Sequence, residues 1–205
     1  MRWELARLPE RIGDAQRGIN TLWARPPGVI DPTADSVRYE AVSYYGLAKI
    51  AAHLTLSPSD IFYDIGCGAG RVVCYYASFG IAECIGIELD PALAAKATLN
   101  AKALRNGVAP IEIRQVDATM TSYAKGTIYF LFNPFSAPLL KKVEEKFRAE
   151  RAGTAITIVY VHPVHAWVLD EATWLRRRGP AFQIPHVFEQ IDVVIWESQG
   201  ASDGR

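Results

Sequence analysis

The sequence predicts a doubly wound α/β domain: a mostly parallel sheet of seven strands, helices on both faces, and an antiparallel hairpin at the C-terminal edge. Three observations carry this expectation. Short, almost wholly apolar runs recur, among them Ile61–Ile65, Ile128–Phe132 and Ala155–Val161. A strand apolar at successive positions is one buried on both faces, as in parallel sheets. Helical segments alternate with these runs, the pattern of an α/β domain. Finally, the runs end in glycine, acidic or asparagine residues, and ligands of open α/β sheets bind beyond the carboxyl ends of the strands.

Taken in order, residues 1–35 show little periodicity. Pro26-Pro-Gly-Val-Ile-Asp-Pro32 reads as a turn or extended loop, because adjacent prolines fix φ and remove donors. This region is expected to be an N-terminal extension able to close over a site as a lid, leaving residues 36–205 as one domain. From Ser36 to Leu56, Tyr39, Val42, Leu47, Ile50, Ala51 and Leu54 recur near helical spacing, with Pro58 as the stop. Strand and helix then alternate: Ile61–Ile65, Arg71–Phe79, Cys84–Leu89, Pro91–Arg105, Ile111–Val116, Ile128–Phe132, Ala137–Arg151, Ala155–Val161 and Val164–Ala172. Asp90 is the expected N-cap of the second of these helices, with Pro91 at its first position. The tail from Phe188 to Glu197 reads as one or two strands, divided near Gln190-Ile191.

Composition narrows the function classes. The 205 residues suffice for one sizeable core, and 22 basic side chains balance 22 acidic ones. Such a chain has no general attraction for nucleic acid or anionic lipid, so neither is an expected partner. Cys67, Cys74 and Cys84 form no CxxC pair and read as reduced thiols of a cytoplasmic protein. The charged N-terminus lacks the apolar core of a signal peptide, and no apolar run approaches membrane-spanning length. His162, His165 and His186, with Glu189, invite a metal reading. Pro163 interrupts the first pair and no cysteine adjoins them, so they read as loop or packing histidines and no metal site is expected. Arg176-Arg-Arg178 reads as a solvated surface or as a means of steering an acidic substrate.

The chemistry concentrates at the strand ends. Asp64-Ile-Gly-Cys-Gly-Ala-Gly70 follows the first strand. Gly66 and Gly68 are expected to take positive φ and turn backbone amides toward a ligand, and Gly70 to let the next helix pack closely. A dinucleotide turn needs G-x-G-x-x-G, but Arg71 stands at the third glycine's place. The observed G-x-G-x-G, with an acid two residues before it, suits a ligand carrying both carboxylate and ammonium, as the methionyl end of S-adenosylmethionine does. Glu88 closes the second strand, where a carboxylate can accept from a ribose diol. Asp117 and Ala118 close the third, where they can meet an adenine amino group and ring nitrogen. Asn133-Pro134-Phe135 follows the fourth.

These four motifs, in this order, resemble those of the class I S-adenosylmethionine-dependent methyltransferases, over residues 36–197 or so. Asn133-Pro134-Phe135 and Tyr160-Val-His-Pro-Val-His165 are similar to a bacterial branch itself loosely similar to protein lysine methyltransferases that lack the SET fold. The resemblance implies a Rossmann-like sheet and a methyl donor held by Asp64, Gly66, Cys67, Gly68 and Gly70 at the methionyl end. It implies Glu88 at the ribose and Asp117 with Ala118 at the adenine. Tyr39 and Tyr44 could close over this cofactor or pack as core aromatics. Asn133, Pro134 and Phe135 match the motif that holds an acceptor amine. That motif usually has two prolines; here Phe135 follows the first directly, which argues against a base amine or glutamine amide as acceptor. The expected function is methyl transfer to a nucleophile, a nitrogen by preference, on a protein side chain or small molecule. A non-catalytic binder of S-adenosylmethionine and an NAD-dependent oxidoreductase are the alternatives; Asn133-Pro134 argues against the first and Arg71 against the second.

Overall fold

The computed structural model describes residues 7–22, 40–186 and 189–198. Eight strands form one sheet: β1 (Ile61–Ile65), β2 (Glu83–Glu88), β3 (Ile111–Gln115), β4 (Ile128–Phe132), β5 (Thr157–Val161), β6 (Leu175–Arg177), β7 (Phe182–His186) and β8 (Glu189–Ser198). Their order is β3-β2-β1-β4-β5-β8-β6, with β7 also paired to β8. β1 to β5 are mutually parallel, while β8 runs antiparallel to β5, β6 and β7. The described helices are α1 (Leu8–Arg17), α2 (Tyr44–Ala51), α3 (Arg71–Tyr76), α4 (Pro91–Ala103), α5 (Ala137–Glu150) and α6 (Ala166–Asp170).

Period-2 alternation in the central strands builds a core on each face. Phe62, Phe130, Val159 and Val193 face Leu47 and Ile50 of α2 and Val73 and Tyr76 of α3. Tyr63, Tyr129, Tyr160 and Trp196 face Leu140, Val143 and Phe147 of α5 and Val168 and Leu169 of α6. Tyrosines in the second core find partners for their hydroxyls, as buried polar groups must. Tyr129 donates to the Tyr123 carbonyl at 2.6 Å, and Tyr123 to the Ala118 carbonyl at 2.7 Å. The loop after β3 is thereby tied to the core.

Four sequence expectations are corrected. The helix expected from Ser36 begins at Tyr44, because Ser43 is extended (φ −64°, ψ 148°) and its hydroxyl accepts from the Gly46 amide as an N-cap. Residues 36–39 lie outside the described residues. That helix ends at Ala51, well before Pro58. The C-terminal strand is continuous through Gln190-Ile191, and its hairpin partner β7 precedes it. The strand count is eight rather than seven because β6 and β7 lie end to end along β8, divided at Gly179 (φ +74°) and Pro180, which has no amide to give the ladder.

Residues 7–22 are docked on the domain. The Asn100 side chain of α4 accepts from the Asn20 amide and donates to the carbonyls of Asn20 and Ala69, at 2.8–3.0 Å. The Arg105 amide donates to the Arg17 carbonyl at 2.8 Å. Gly13 lies so close under Tyr44 that an added Cβ would sit 2.2 Å from its ring. No described helix is long and apolar enough to cross a membrane.

Candidate active site

The carboxyl ends of β1 to β5 form one rim, and hydrogen bonds fix their relative heights. The Gly66 and Cys67 amides both donate to the Ile87 carbonyl at 2.9 Å, hooking the glycine turn onto the end of β2. The Val116 amide donates to the Glu88 carbonyl at 3.0 Å, hooking the end of β3 onto β2. Asp64, Glu88, Asp117 and Asn133 therefore emerge along one edge of the sheet.

Gly66, Gly68 and Gly70 all have positive φ (+80°, +54° and +84°). The amides of Gly66, Cys67, Gly68 and Gly70 bond inside the fold, which differs from the expectation that Gly66 and Gly68 turn theirs toward a ligand. Gly68 donates to Glu88 Oε2 at 2.7 Å and Gly70 to the Cys67 carbonyl at 2.8 Å. The nearby carboxylate and carbonyls take these donors first. The absent side chains serve close approach instead. A Cβ on Gly66 would lie 2.9 Å from the Pro134 side chain, and one on Gly70 would lie 3.1 Å from Ala97 of α4. Gly66 thus lets the Asn133-Pro134 turn come down onto the glycine turn.

Asp64 is buried, and its Oδ2 has no hydrogen-bond partner. Burial, with the Glu88 charge adding to it, pushes its carboxyl well above the usual carboxylate range. Glu88 accepts from two amides, Gly68 on one oxygen and Asp90 on the other at 2.9 Å. Burial raises its pKa, while the amide bonds work the other way. Asp117 Oδ1 accepts from the amide and hydroxyl of Thr119, each at 2.7 Å, and Oδ2 makes no hydrogen bond among the described residues. Ala118 and Cys67 are buried. Asn133 takes a left-handed backbone (φ +38°), and its Oδ1 accepts from the Tyr160 hydroxyl at 3.0 Å. His162, at the equivalent place beyond β5, is also left-handed (φ +50°). Such strain in a residue with a side chain clusters at functional sites.

Over residues 33–159, a span that holds β1 to β4 with their rim loops and ends within β5, the chain matches the family described as histone methylation protein DOT1. The chain belongs to the DOT1 family. It is a methyltransferase of the S-adenosylmethionine-dependent class. Among solved structures, this DOT1-family chain is similar to an RNA methyltransferase from Salinibacter ruber in complex with S-adenosyl-L-homocysteine. That likeness has 22% identity and a TM-score of 0.57, over 81% of this chain and 98% of that one. It is also similar to the magnesium protoporphyrin IX methyltransferase of Synechocystis PCC 6803 with bound SAM, at 13% identity and TM-score 0.57, over 75% and 76% of the two chains. A SAM-dependent methyltransferase from Aquifex aeolicus is 14% identical with TM-score 0.58, over 76% and 90%. No curated protein matches the chain. These likenesses show the fold.

Other residues singled out in the sequence lie elsewhere. Tyr44 turns to α1, donating to Asp14 Oδ1 at 2.6 Å. Tyr39 lies outside the described residues. Phe135 packs partly into the second core. His186 is buried, shares a 2.9 Å hydrogen bond with Glu40, and meets the Phe132 ring edge-on at 5.2 Å. Among the described residues, no group of three His, Cys, Asp or Glu side chains converges as metal ligands would. Arg176, Arg177 and Arg178 lie beside the end of β8, on the rim opposite the glycine turn. Arg177 pairs with Asp170, and Arg176 and Arg178 reach Glu197 at 3.8 and 3.4 Å.

Neither Arg71 nor Tyr160 is among the site residues expected from the sequence. Arg71 is 2% exposed at the first turn of α3. It donates to Thr21 Oγ1 at 2.7 Å, Glu10 Oε2 at 2.6 Å and the Val42 carbonyl at 3.1 Å. The sequence signal was present: a lone arginine heading the apolar run Val72–Tyr76 must find buried partners, and Glu10 and Asp14 share a helix face at i, i+4.

Proposed function

We propose that the chain transfers a methyl group from S-adenosylmethionine to a nitrogen nucleophile on a protein side chain or small molecule. One observation carries the acceptor side of this reading: Asn133 stands at the rim in a left-handed backbone with its side-chain oxygen already held.

The residues present fit the donor. Asp64 Oδ2 is an acceptor without a donor in a buried setting, the partner an ammonium would satisfy. Glu88 would take the ribose diol, and Asp117 Oδ2 the adenine amino group beside the Ala118 amide. Cys67 and the glycine turn would enclose the methionyl end. When bound, S-adenosylmethionine supplies an electrophilic methyl; its transfer to a neutral amine forms a C–N bond as the C–S bond breaks, leaving S-adenosylhomocysteine and releasing one proton to water. The protein's work is alignment and exclusion of water. Asn133 Oδ1 would accept an acceptor N–H and so aim the lone pair. Phe132 and Phe135 would line the path, where aromatic faces favour cationic groups.

Glu88→Ala tests the donor side. It removes the carboxylate and strands the Gly68 and Asp90 amides. Hydrogen bonds to charged groups contribute about 1.5–3 kcal/mol, so affinity for S-adenosylhomocysteine should fall at least about tenfold. Unchanged affinity by calorimetry would remove Glu88 from the site. The acceptor is tested by incubating the protein and tritiated donor with cell lysate, then separating protein, nucleic acid and small solutes. Label in the protein or small-solute fraction is expected; label confined to nucleic acid would overturn the acceptor class. Melting temperatures with S-adenosylhomocysteine and with NAD accompany the assay, because a specific ligand raises the first by mass action. A rise with NAD alone would sink the donor.

A further inference from the structure

We propose that Tyr160 is a positioning residue for Asn133, setting the direction in which its side-chain oxygen meets the acceptor. The inference rests on the reading of Asn133 as the group that orients the acceptor.

Tyr160 lies within β5, beside Leu131 of β4 in register, and is 1% exposed. Its ring is packed in the second core, 6.4 Å from the ring of Trp196. A ring so enclosed has no room to swing, so its hydroxyl is a fixed point below the rim. That hydroxyl donates to Asn133 Oδ1 at 3.0 Å. Burial raises the hydroxyl's pKa to about 12, the His165 backbone amide pulling the other way, so it stays protonated and remains a donor through the neutral range.

Three consequences follow for Asn133. An amide oxygen has two lone pairs, and the Tyr160 hydroxyl takes one, leaving the other for an acceptor N–H. The same bond decides which end of the amide faces the core, and so places the Nδ2 hydrogens on the other side. It also helps hold a left-handed backbone that a residue with a Cβ adopts only at a cost. Asn133 does not serve as the cap of α5; Ser136 holds that position. No role in the local helix explains its side chain.

The test needs no knowledge of the acceptor. Sinefungin is an S-adenosylmethionine analogue with an amine where the reactive methyl would sit, so its affinity relative to S-adenosylhomocysteine reads the group facing that position. Calorimetry on the full chain should show the sinefungin preference lost in Asn133→Ala and reduced about two- to tenfold in Tyr160→Phe, the range for one neutral hydrogen bond. Affinity for S-adenosylhomocysteine should stay within about twofold in both. Because Tyr160 acts through Asn133, the double variant should match Asn133→Ala alone. A wild-type ratio in Tyr160→Phe, with the preference lost in Asn133→Ala, overturns the role of Tyr160. A wild-type ratio in Asn133→Ala overturns the reading of Asn133 itself, and this proposal with it. A second measurement avoids any question of folding in the variants. In the wild-type chain, the Asn133 side-chain nitrogen should give one nitrogen-15 shift with two proton cross-peaks and an order parameter as high as the backbone's; a low order parameter, the mark of a mobile side chain, would overturn the fixed orientation.

Discussion

Asn133→Ala is expected to lower methyl turnover about 10²-fold while affinity for S-adenosylhomocysteine stays within about twofold. The donor-binding groups proposed here sit on other strands: Asp64 beyond the middle of β1, Glu88 at the end of β2 and Asp117 after β3. The Asn133 side chain makes its hydrogen bond to Tyr160 rather than to any of these. Removing it should leave the donor in place and lose the alignment of the attacking nitrogen. Methyl transfer to an amine needs little other chemical help, so misalignment is costly. The substitution also places alanine at a φ of +38°, which raises the strain there. Melting temperature should therefore be followed beside turnover. Single-turnover rates on the labelled acceptor fraction, paired with calorimetry, check the claim. A parallel loss of binding and rate would make Asn133 a donor-binding residue instead.

The parallel half of the fold was legible because burial on both faces writes itself as unbroken apolar runs. β1 and β4 have the boundaries that those runs predict. β6 and β7 were not legible. Leu175-Arg-Arg and Phe182-Gln-Ile-Pro-His carry charge and a proline, which strands at a sheet edge tolerate and central strands do not. The acidic and asparagine residues at the strand ends could be placed on one rim from order alone. What order could not show is where each donor goes. Glycines at positions 66 and 68 suggest amides turned to a ligand, yet Ile87 and Glu88 lie within hydrogen-bonding distance and take them. Such competition is a three-dimensional fact. Tyr160 was hidden for the opposite reason: within Thr157–Val161 it reads as one more buried aromatic, and only the register of β5 against β4 brings its hydroxyl to Asn133.

Arg71→Ala is expected to cost about 3–5 kcal/mol of unfolding free energy, the range for breaking a buried ion pair by removing one partner. The guanidinium is enclosed by groups from three parts of the chain. Glu10 and Asp14 come from α1, Thr21 from the strap that follows it, and the Val42 carbonyl from the segment leading into α2. Tyr44 adds its ring face, 4.9 Å from the guanidinium carbon, and its own bond to Asp14. Burial already raises the Glu10 carboxyl, with Arg71 as the main opposing influence. Removing the cation would leave two acidic side chains facing each other without it, and the first turn of α3 without its link to α1. Arg71→Lys should recover only part of the loss, since one ammonium cannot reproduce the fork that binds Thr21, Glu10 and Val42 together. Urea unfolding gives the free energy, and hydrogen exchange locates it. Protection of the α1 amides should fall further than that of β1 and β4, because α1 depends on this contact and the central strands do not. Equal protection loss throughout would mean that Arg71 supports the domain as a whole. An unchanged unfolding midpoint would mean that α1 is held by its other contacts, Asn20–Asn100, Arg17–Arg105 and Tyr44–Asp14 among them, and that an arginine at the head of an apolar helix is no guide to a docked N-terminal segment.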